Sequence, residues 1–353
     1  MTEKRMQDKI NYCENILPKV SRTFAPTIRR LPDGLRLPVT VAYLLCRIAD
    51  TVEDSPDLSL DDKKRLLSLY AQIFSGEQKD QAFAEFMRLV TLLPSNTHDE
   101  KLAHNLPTVM DLYRTFKPSM QSYIARWVAE MSLGMRKYAQ AGQNRKYNFL
   151  KSMKELDEYT YYVAGTVGYL LTELFAFYSN KITPSLKNKM EQLAESFGKG
   201  LQLVNIIRDM ASDLRRGQSY IPDELLQKYR LTRESIFEKE NADKAQELFN
   251  ELIITAVRHL DKAFDYIQLI PKKETGIRLF CSLPVFWALR TLELIQRNTL
   301  ALLNPEKVKI PRRIIRFEYF LALIHTNSNR LMRHHYYKIR KEFDRIPALQ
   351  TGN

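Results

Sequence analysis

The chain has 353 residues, of which 44% are hydrophobic, 10% aromatic and 27% charged, the make-up of a folded globular protein rather than a disordered one. Eleven glycines, with no G-x-G-x-x-G and no G-x-x-x-x-G-K-[ST] segment, exclude the Gly-rich nucleotide-binding turns, and three widely spaced cysteines (Cys13, Cys46, Cys281) encode neither a disulfide framework nor a Cys-based zinc site. Lys and Arg number 54 against 41 Asp and Glu, a net charge of +13, and residues 301–353 alone hold 11 against 4, so an anionic partner is expected.

The N-terminus MTEKRMQDKINYCENIL carries acids and no apolar run of leader length, and the cysteine usage suits a reducing compartment, so a cytoplasmic location is expected. From there the apolar residues step by three or four almost throughout, predicting helices near 36–54, 61–75, 80–93, 101–117, 119–140, 151–178, 185–214, 245–267, 276–300 and 312–347. The series Ala245, Leu248, Leu252, Ala256, Leu260, Ala263, Ile267 is the clearest such face. Breakers fall between the stripes: Ser55-Pro56, Ser75-Gly76, Pro94-Ser95-Asn96, Ala141-Gly142, Thr183-Pro184, Arg216-Gly217, Pro271 and Asn304-Pro305. Alternating β-branched runs with Asn-Gly or Asp-Gly turns are absent, so the fold class is all-α. No breaker is long enough to be a linker, so residues 1–353 read as a single domain, with 301–353 a basic helical C-terminal extension. The stretch YTYYVAGTVGYLLTELFAFY at 159–178 approaches the length of a membrane span, but Glu173, Gly165 and Gly168 make it a buried bundle helix with a kink or a close backbone approach.

Two acidic groups interrupt apolar helices. VTVAYLLCRIADTVED places Asp50 and Asp54 four residues apart with Glu53 beside them, and VNIIRDMASDLRRG spaces Asn205, Asp209 and Asp213 at i, i+4 and i+8. Like charges at that spacing cost a helix roughly 0.2–0.5 kcal/mol per pair, and both groups follow apolar turns, so a cation must compensate. Oxygen ligands without His or Cys suit Mg²⁺, which keeps waters and completes its shell with substrate phosphate. Two such clusters facing each other across a bundle would hold several Mg²⁺ ions and a diphosphate. Direct phosphate donors are near in sequence: Ser21-Arg22, Arg47, Arg208 and Arg215-Arg216. The six histidines show no metal-ligand spacing, and surface or packing roles are expected for them, as packing is for Cys46, Trp127 and Trp287.

DTVED and NIIRDMASDLRRGQSYIP, with SRTF upstream, YVAGTVG between them and FCSLP downstream, resemble the squalene/phytoene synthases, head-to-head trans-prenyltransferases, over roughly residues 20–300 and in the family's own order. The resemblance implies an isoprenoid-synthase-type helical bundle around a central cavity that takes two prenyl diphosphates. It implies Mg²⁺ on Asp50, Asp54, Asp209 and Asp213 with Glu53 in support, and diphosphate contacts from Ser21, Arg22, Tyr43, Arg47, Asn205 and Arg208. It also implies a carbocation pocket at Tyr159, Gln202 and Phe280, catalytic roles for Tyr159 and Arg208, and further aromatic lining from Tyr162 and Phe286. The reaction implied is condensation of two prenyl diphosphates through a cyclopropylcarbinyl diphosphate, most simply farnesyl diphosphate to squalene with NADPH as reductant.

The two branches of the family leave different marks. SDLRRGQSYIPDEL and FCSLPVFWALRTL look more like the phytoene branch, in which phytoene or dehydrosqualene forms without reduction, and Ser212 stands where squalene synthases usually have an acid. KVKIPRR and HTNSNRLMRHHYYKIRKEFDRIP are similar to the C-terminal part of squalene synthases, which implies a meeting of Lys309 and Arg312 with NADPH, although Pro311 departs from that pattern. A monomer is expected, with no nucleic-acid partner and no transmembrane anchor, while a loose peripheral membrane association is compatible with a hydrocarbon product. The competing reading from another class is a basic protein that binds RNA or a lipid surface through its C-terminal cations; it explains the charge but not the buried acids.

Overall fold

Apolar side chains recurring every three or four residues fold into helices along the described chain, which in this computed structural model comprises residues 3–139, 149–297 and 309–346. In order these are α1 (Glu3–Val20), α2 (Phe24–Ile28), α3 (Asp33–Asp54), α4 (Leu60–Ser75), α5 (Lys79–Leu89), α6 (His98–His104), α7 (Leu106–Tyr113) and α8 (Pro118–Tyr138). There follow α9 (Met153–Thr160), α10 (Thr166–Tyr178), α11 (Pro184–Arg215), α12 (Asp223–Lys228), α13 (Ala242–Leu269), α14 (Thr275–Arg297), α15 (Arg312–His325) and α16 (Asn329–Arg340). The described residues contain no strand, so the all-α reading holds.

Boundaries follow local chemistry. Ser59 caps α4 by accepting from the Asp62 N–H at 3.1 Å, and Thr97 and Glu100 form a reciprocal capping box on α6. The expected helix at 101–117 is two, because Asn105 ends α6 and Pro107 can only open the next. The expected helix at 312–347 likewise divides at 326–328, where the Ser328 hydroxyl caps α16 at the Leu331 N–H, 3.3 Å away. Helix α1 had no place among the predicted stripes; it buries only Cys13, Ile16, Leu17 and Val20, at one end, and carries Pro18.

The contacts divide the chain into two compact units, a finer division than the single domain expected from sequence. Unit 1 comprises residues 1–148 and 166–187, and unit 2 residues 149–165 and 188–353. In unit 1, α3 packs against α1, α6, α7, α8 and α10, and α4 lies along α8. This makes α3 a central helix, with Leu35, Val41, Leu44, Leu45, Ile48 and Ala49 essentially without exposure. Its last turns are held from outside. The Tyr70 hydroxyl donates to the Leu45 carbonyl at 2.9 Å, and the buried Lys63 ammonium donates to the Glu53 carbonyl at 2.6 Å, satisfying a terminal carbonyl that has no partner within the helix. The acid Glu173, which interrupts an apolar helix, accepts the Trp127 indole N–H at 2.8 Å, while Trp127 stacks on Tyr169.

In unit 2, α13 buries the predicted face against α14 and α16. Helix α14, Thr275–Arg297, is long and apolar enough to cross a membrane, but most of it is buried inside the protein. Within it Arg278, with no exposed surface, donates to the carbonyls of Thr326, Ile267 and Ile270 at 2.7, 3.1 and 2.6 Å and so ties three chain segments together. Between α9 and α10 the chain takes a π-helical turn at Tyr161–Gly165. The close backbone approach foreseen around Gly165 is real and has its counterpart at Gly198 of α11, where an added Cβ would lie 1.9 Å from the Ala164 carbonyl oxygen.

A side chain at 198 therefore cannot be accommodated without moving backbone. Gly198→Ala is expected to destabilise the protein by about 2 kcal/mol or more. The control Gly34→Ala, whose new Cβ meets only the Tyr178 ring at 3.2 Å, should stay within about 1 kcal/mol of the native protein. Denaturant unfolding measures both, and a Gly198→Ala protein of native stability would contradict the packing described.

Candidate metal and diphosphate site

Both acidic groups lie in the last turns of long helices, where the unpaired carbonyls already make the helix end negative. In unit 1, Asp50 and Asp54 project from the end of α3 with one turn between them. The Asp50 side chain keeps about a third of its surface (32%), Asp54 is exposed, and Glu53 is buried. Glu53 therefore does not share the open face of the other two: the turn that leaves Asp50 half-exposed and Asp54 exposed buries Glu53. Burial pushes the Asp50 carboxyl up to about 7; Arg47 opposes the rise, and Asp54 and Asp99 add to it.

Arg47, one turn before Asp50, lies 3.7 Å from that carboxylate and donates from Nε to Asp99 Oδ1 at 2.6 Å. Burial alone would lower the guanidinium pKa, but Asp50 and Asp99 outweigh it and raise it. Asp99, in the first turn of α6, is a member of this site that sequence reading missed: it stands 52 residues from Arg47, and nothing in HDEKLAH marks it apart from an ordinary N-terminal acid. On the same helix Tyr43 is half-buried beside Ser21; loss of water drives its hydroxyl up to about 12, against the pull of Arg47 and of a hydrogen bond with Ser21. The Ser21 hydroxyl also accepts the Phe24 N–H at 3.0 Å, which fixes the SRTF turn, and Arg22 is exposed on that turn. Unit 1 thus gathers Ser21, Tyr43, Arg47 and Asp50 with the unforeseen Asp99, and leaves Glu53 beneath them.

In unit 2, Gln202, Asn205, Asp209 and Asp213 follow one face of α11. Asn205 donates to Gln202 Oε1 at 3.4 Å. Arg208 pairs with its neighbour Asp209 through two nitrogens, Nε to Oδ1 at 2.8 Å and the terminal nitrogen to Oδ2. Burial works to lower Arg208, and Asp209 with Asp213 reverses the sign and raises it. Arg216 donates to Asp213 Oδ1 at 2.6 Å. The helix stops there because Gly217, at φ 77°, takes the left-handed conformation, and Gly217 N–H to Leu214 and Gln218 N–H to Asp213, both 2.9 Å, close the end. Ser212 turns its hydroxyl back to the Asp209 carbonyl at 2.6 Å.

Other expected residues fall elsewhere in unit 2. Tyr159 is buried and stacked on Tyr220 at 4.7 Å, and Phe280 is buried in α14. Phe286, expected as lining, packs into the core against the rings of His335 and Tyr336 at 4.8 and 6.4 Å. Lys309 and Arg312 are both exposed on either side of Pro311, which forms the N-cap of α15 and so has a structural reason to depart from the pattern. Among the described residues no three His, Cys, Asp or Glu side chains come together as a complete cage. Pairs of carboxylates are nevertheless what a magnesium ion uses when water and substrate phosphate fill the rest of its shell, and the donors are all hard oxygens. With Asp50 half-buried one turn from the exposed Asp54, and with every donor an oxygen, the residues fit the ion.

Residues 17–313 match the family model described as squalene/phytoene synthase. The chain belongs to the squalene/phytoene synthase family. Curated relatives of this chain include the squalene synthase of Schizosaccharomyces pombe, 30% identical over 296 residues, and that of Homo sapiens, 28% identical over 298 residues; each alignment covers 84% of this chain, and respectively 62% and 66% of the relative. The chain thus spans under two thirds of the length of these relatives. Among solved structures, the complex of TcSQS with the ligand E5700 superposes with a TM-score of 0.79 at 23% identity, covering 97% of this chain and 96% of that one, which supports the shared fold. A dehydrosqualene synthase in complex with ligand superposes at a TM-score of 0.61 and 20% identity, covering 92% of this chain and 97% of that one.

A carboxyl raised from its ordinary value to about 7 takes up a proton on folding between roughly pH 4 and 7, so the folded state binds more protons there than the unfolded one. In magnesium-free buffer the stability of this family member is therefore expected to fall as pH rises through that window, and Asp50→Asn should flatten the fall. Denaturant unfolding with chelator at pH 5 and pH 8 measures it. Equal slopes for native and variant protein would show that Asp50 is not the strained carboxyl.

Proposed function

We propose that this chain carries out a magnesium-dependent head-to-head condensation of two prenyl diphosphates, farnesyl diphosphate to squalene with NADPH as reductant. The observation that carries the reading is that each carboxylate pair, Asp50/Asp54 and Asp209/Asp213, shares its helical turns with an arginine held against it, Arg47 or Arg208. A carboxylate beside a guanidinium in half-buried surroundings offers a ligand for a cation and a donor for phosphate within one helical turn. The family membership and the squalene synthases among the relatives support the choice of reaction.

Magnesium on Asp50, Asp54, Asp209 and Asp213 would supply the positive charge that makes diphosphate a leaving group. The chain's own part is orientation and exclusion of water. Arg47 and Arg208, held in place by their carboxylate neighbours, meet phosphate oxygens, and Ser21, Arg22, Tyr43 and Asn205 add neutral and charged donors. When the C–O bond of the first substrate breaks, the allylic cation is attacked by the double bond of the second. Loss of a proton then closes the cyclopropane. The remaining diphosphate leaves in a second ionisation, and the carbon skeleton rearranges. Tyr159, Gln202 and Phe280 line the place where these cations form, with ring faces toward positive charge and little water. NADPH, met by Lys309 and Arg312, would supply the hydride that ends the sequence as squalene.

The direct experiment is to incubate the purified chain with farnesyl or geranylgeranyl diphosphate and Mg²⁺, with and without NADPH, and to identify the extracted hydrocarbon by mass spectrometry. Squalene only in the presence of NADPH is the expected result. The same hydrocarbon with and without NADPH would overturn the reductive step and give Lys309 and Arg312 back to the surface. In the reductive case, changing both to Ala should spare the first condensation, so that the cyclopropyl intermediate accumulates as squalene falls.

Variants test the residues. Asp50→Asn and Asp213→Asn are expected to abolish turnover with unchanged helical circular dichroism. Arg47→Ala and Arg208→Ala should lower kcat/KM by about 10² to 10³, the usual loss for one donor aimed at developing charge, while Lys338→Ala stays within about twofold. Equal losses from the three sites would contradict the assignment.

A further inference from the structure

Helices α15 and α16 of unit 2 carry a surface that the proposed reaction does not use. Each is fixed by its inner face. Glu318 and Ala322 of α15 are buried, and Glu318 is held by Arg290 Nε at 2.7 Å and His335 Nε2 at 2.6 Å. From α16, Met332, Tyr336 and Ile339 are buried, with Tyr336 stacked on Phe264 at 4.0 Å and its hydroxyl donating to Asp261 at 2.8 Å. The outer faces are therefore preformed.

What they expose is large and apolar on α15: Phe317, Phe320, Leu323 and Ile324 keep 53, 58, 45 and 51% of their surface. These residues follow the i, i+3, i+6, i+7 spacing of one helix face, with Arg313 and Arg316 exposed at its start. On α16 the exposed side is cationic. Arg330, Arg333, His334, Tyr337, Lys338 and Lys341 border an open cleft of about 810 Å³, and Leu331 is exposed beside them. Between residues 312 and 341 the sequence holds a single acid, the buried Glu318, and the exposed cations outnumber the carboxylates that face them, of which Asp265 of α13 lies toward Arg333.

We infer that the outer faces of α15 and α16 dock this protein on a bilayer that carries anionic phospholipid headgroups. A fixed surface that combines bulky aliphatic and aromatic side chains with a surplus of exposed Lys and Arg is the pattern of an interfacial helix, whose apolar residues enter the boundary between headgroups and acyl chains while the cations meet phosphate. An RNA would satisfy the cations but leave Leu323 and Ile324 in water, and an apolar protein partner would leave the cations without a counterpart. The lipid surface answers both. The inference rests on this surface alone and stands or falls independently of the reaction proposed above.

The test is co-sedimentation of the intact chain, without substrate, with vesicles of phosphatidylcholine alone and of phosphatidylcholine mixed with phosphatidylserine. The expected result is binding to the mixed vesicles, at least tenfold weaker on the neutral ones and weakened by salt. Two variants separate the contributions: Phe317→Ser/Phe320→Ser/Ile324→Ser, and Arg330→Gln/Arg333→Gln/Lys338→Gln/Lys341→Gln. With each cation near such a surface worth roughly fivefold in affinity, from about 1 kcal/mol apiece, the second variant should bind at least tenfold more weakly, and the first should lose a comparable factor. Helical circular dichroism and the unfolding midpoint establish that both variants are folded, as substitutions at exposed positions should be. Absence of binding by the native chain would overturn the inference, as would native binding by either folded variant. Displacement of the native chain by a short RNA, with the apolar variant still bound like the native one, would also overturn it and make the surface a polyanion site.

Discussion

Two carboxylates one helical turn apart repel each other, and at the C-terminal end of a helix the unpaired carbonyls add to that repulsion. The chain imposes this twice, at the end of α3 and at the end of α11. Much of the local structure can be understood as the means of holding that arrangement in place. Lys63 closes the last turn of α3 through the Glu53 carbonyl, and the left-handed Gly217 closes α11 just past Asp213. Each pair has an arginine in reach, yet the Asp50 carboxyl still stands near 7, so Arg47 does not supply all the positive charge the place calls for. Its guanidinium is drawn to Asp99 as well, at the shorter distance of 2.6 Å against 3.7 Å to Asp50.

The arginines in turn depend on the acids. A guanidinium withdrawn from water is disfavoured as a cation, and the carboxylates that face Arg47 and Arg208 more than offset that cost and raise both groups. In the proposed reaction, removing an acid from either place would therefore change two functions together, the ligand for a cation and the direction of a phosphate donor. The proposed reaction puts a diphosphate in such a place, and it follows from that pairing rather than from any single residue.

The helices and the two acid stripes were legible in the sequence because both are local: a face repeating every three or four residues needs only its own segment to be recognised. Where local signals competed, the reading lost detail. Asn105 and Pro107 divide one expected helix, and residues 326–328 divide another, each by capping chemistry that a long apolar stripe conceals. Tertiary facts were out of reach. Asp99 joins Arg47 across 52 residues, Glu53 turns inward although its spacing sets it beside Asp50, and the glycine that allows the backbones to meet is Gly198 as much as Gly165. The charge of the C-terminal region was plain in composition, but its segregation onto outer faces of α15 and α16, with the lone acid folded inside, needed the structure.

The central claim is that these carboxylates hold a cation, and through it a diphosphate, rather than merely ending two helices. Isothermal titration of the chain with inorganic diphosphate, with and without Mg²⁺, tests it most directly, because it needs no turnover and no reductant. The account predicts diphosphate binding that requires Mg²⁺ and is lost in both Asp50→Asn and Asp213→Asn. Binding of equal strength without Mg²⁺, or binding by both variants like that of the native chain, would contradict it.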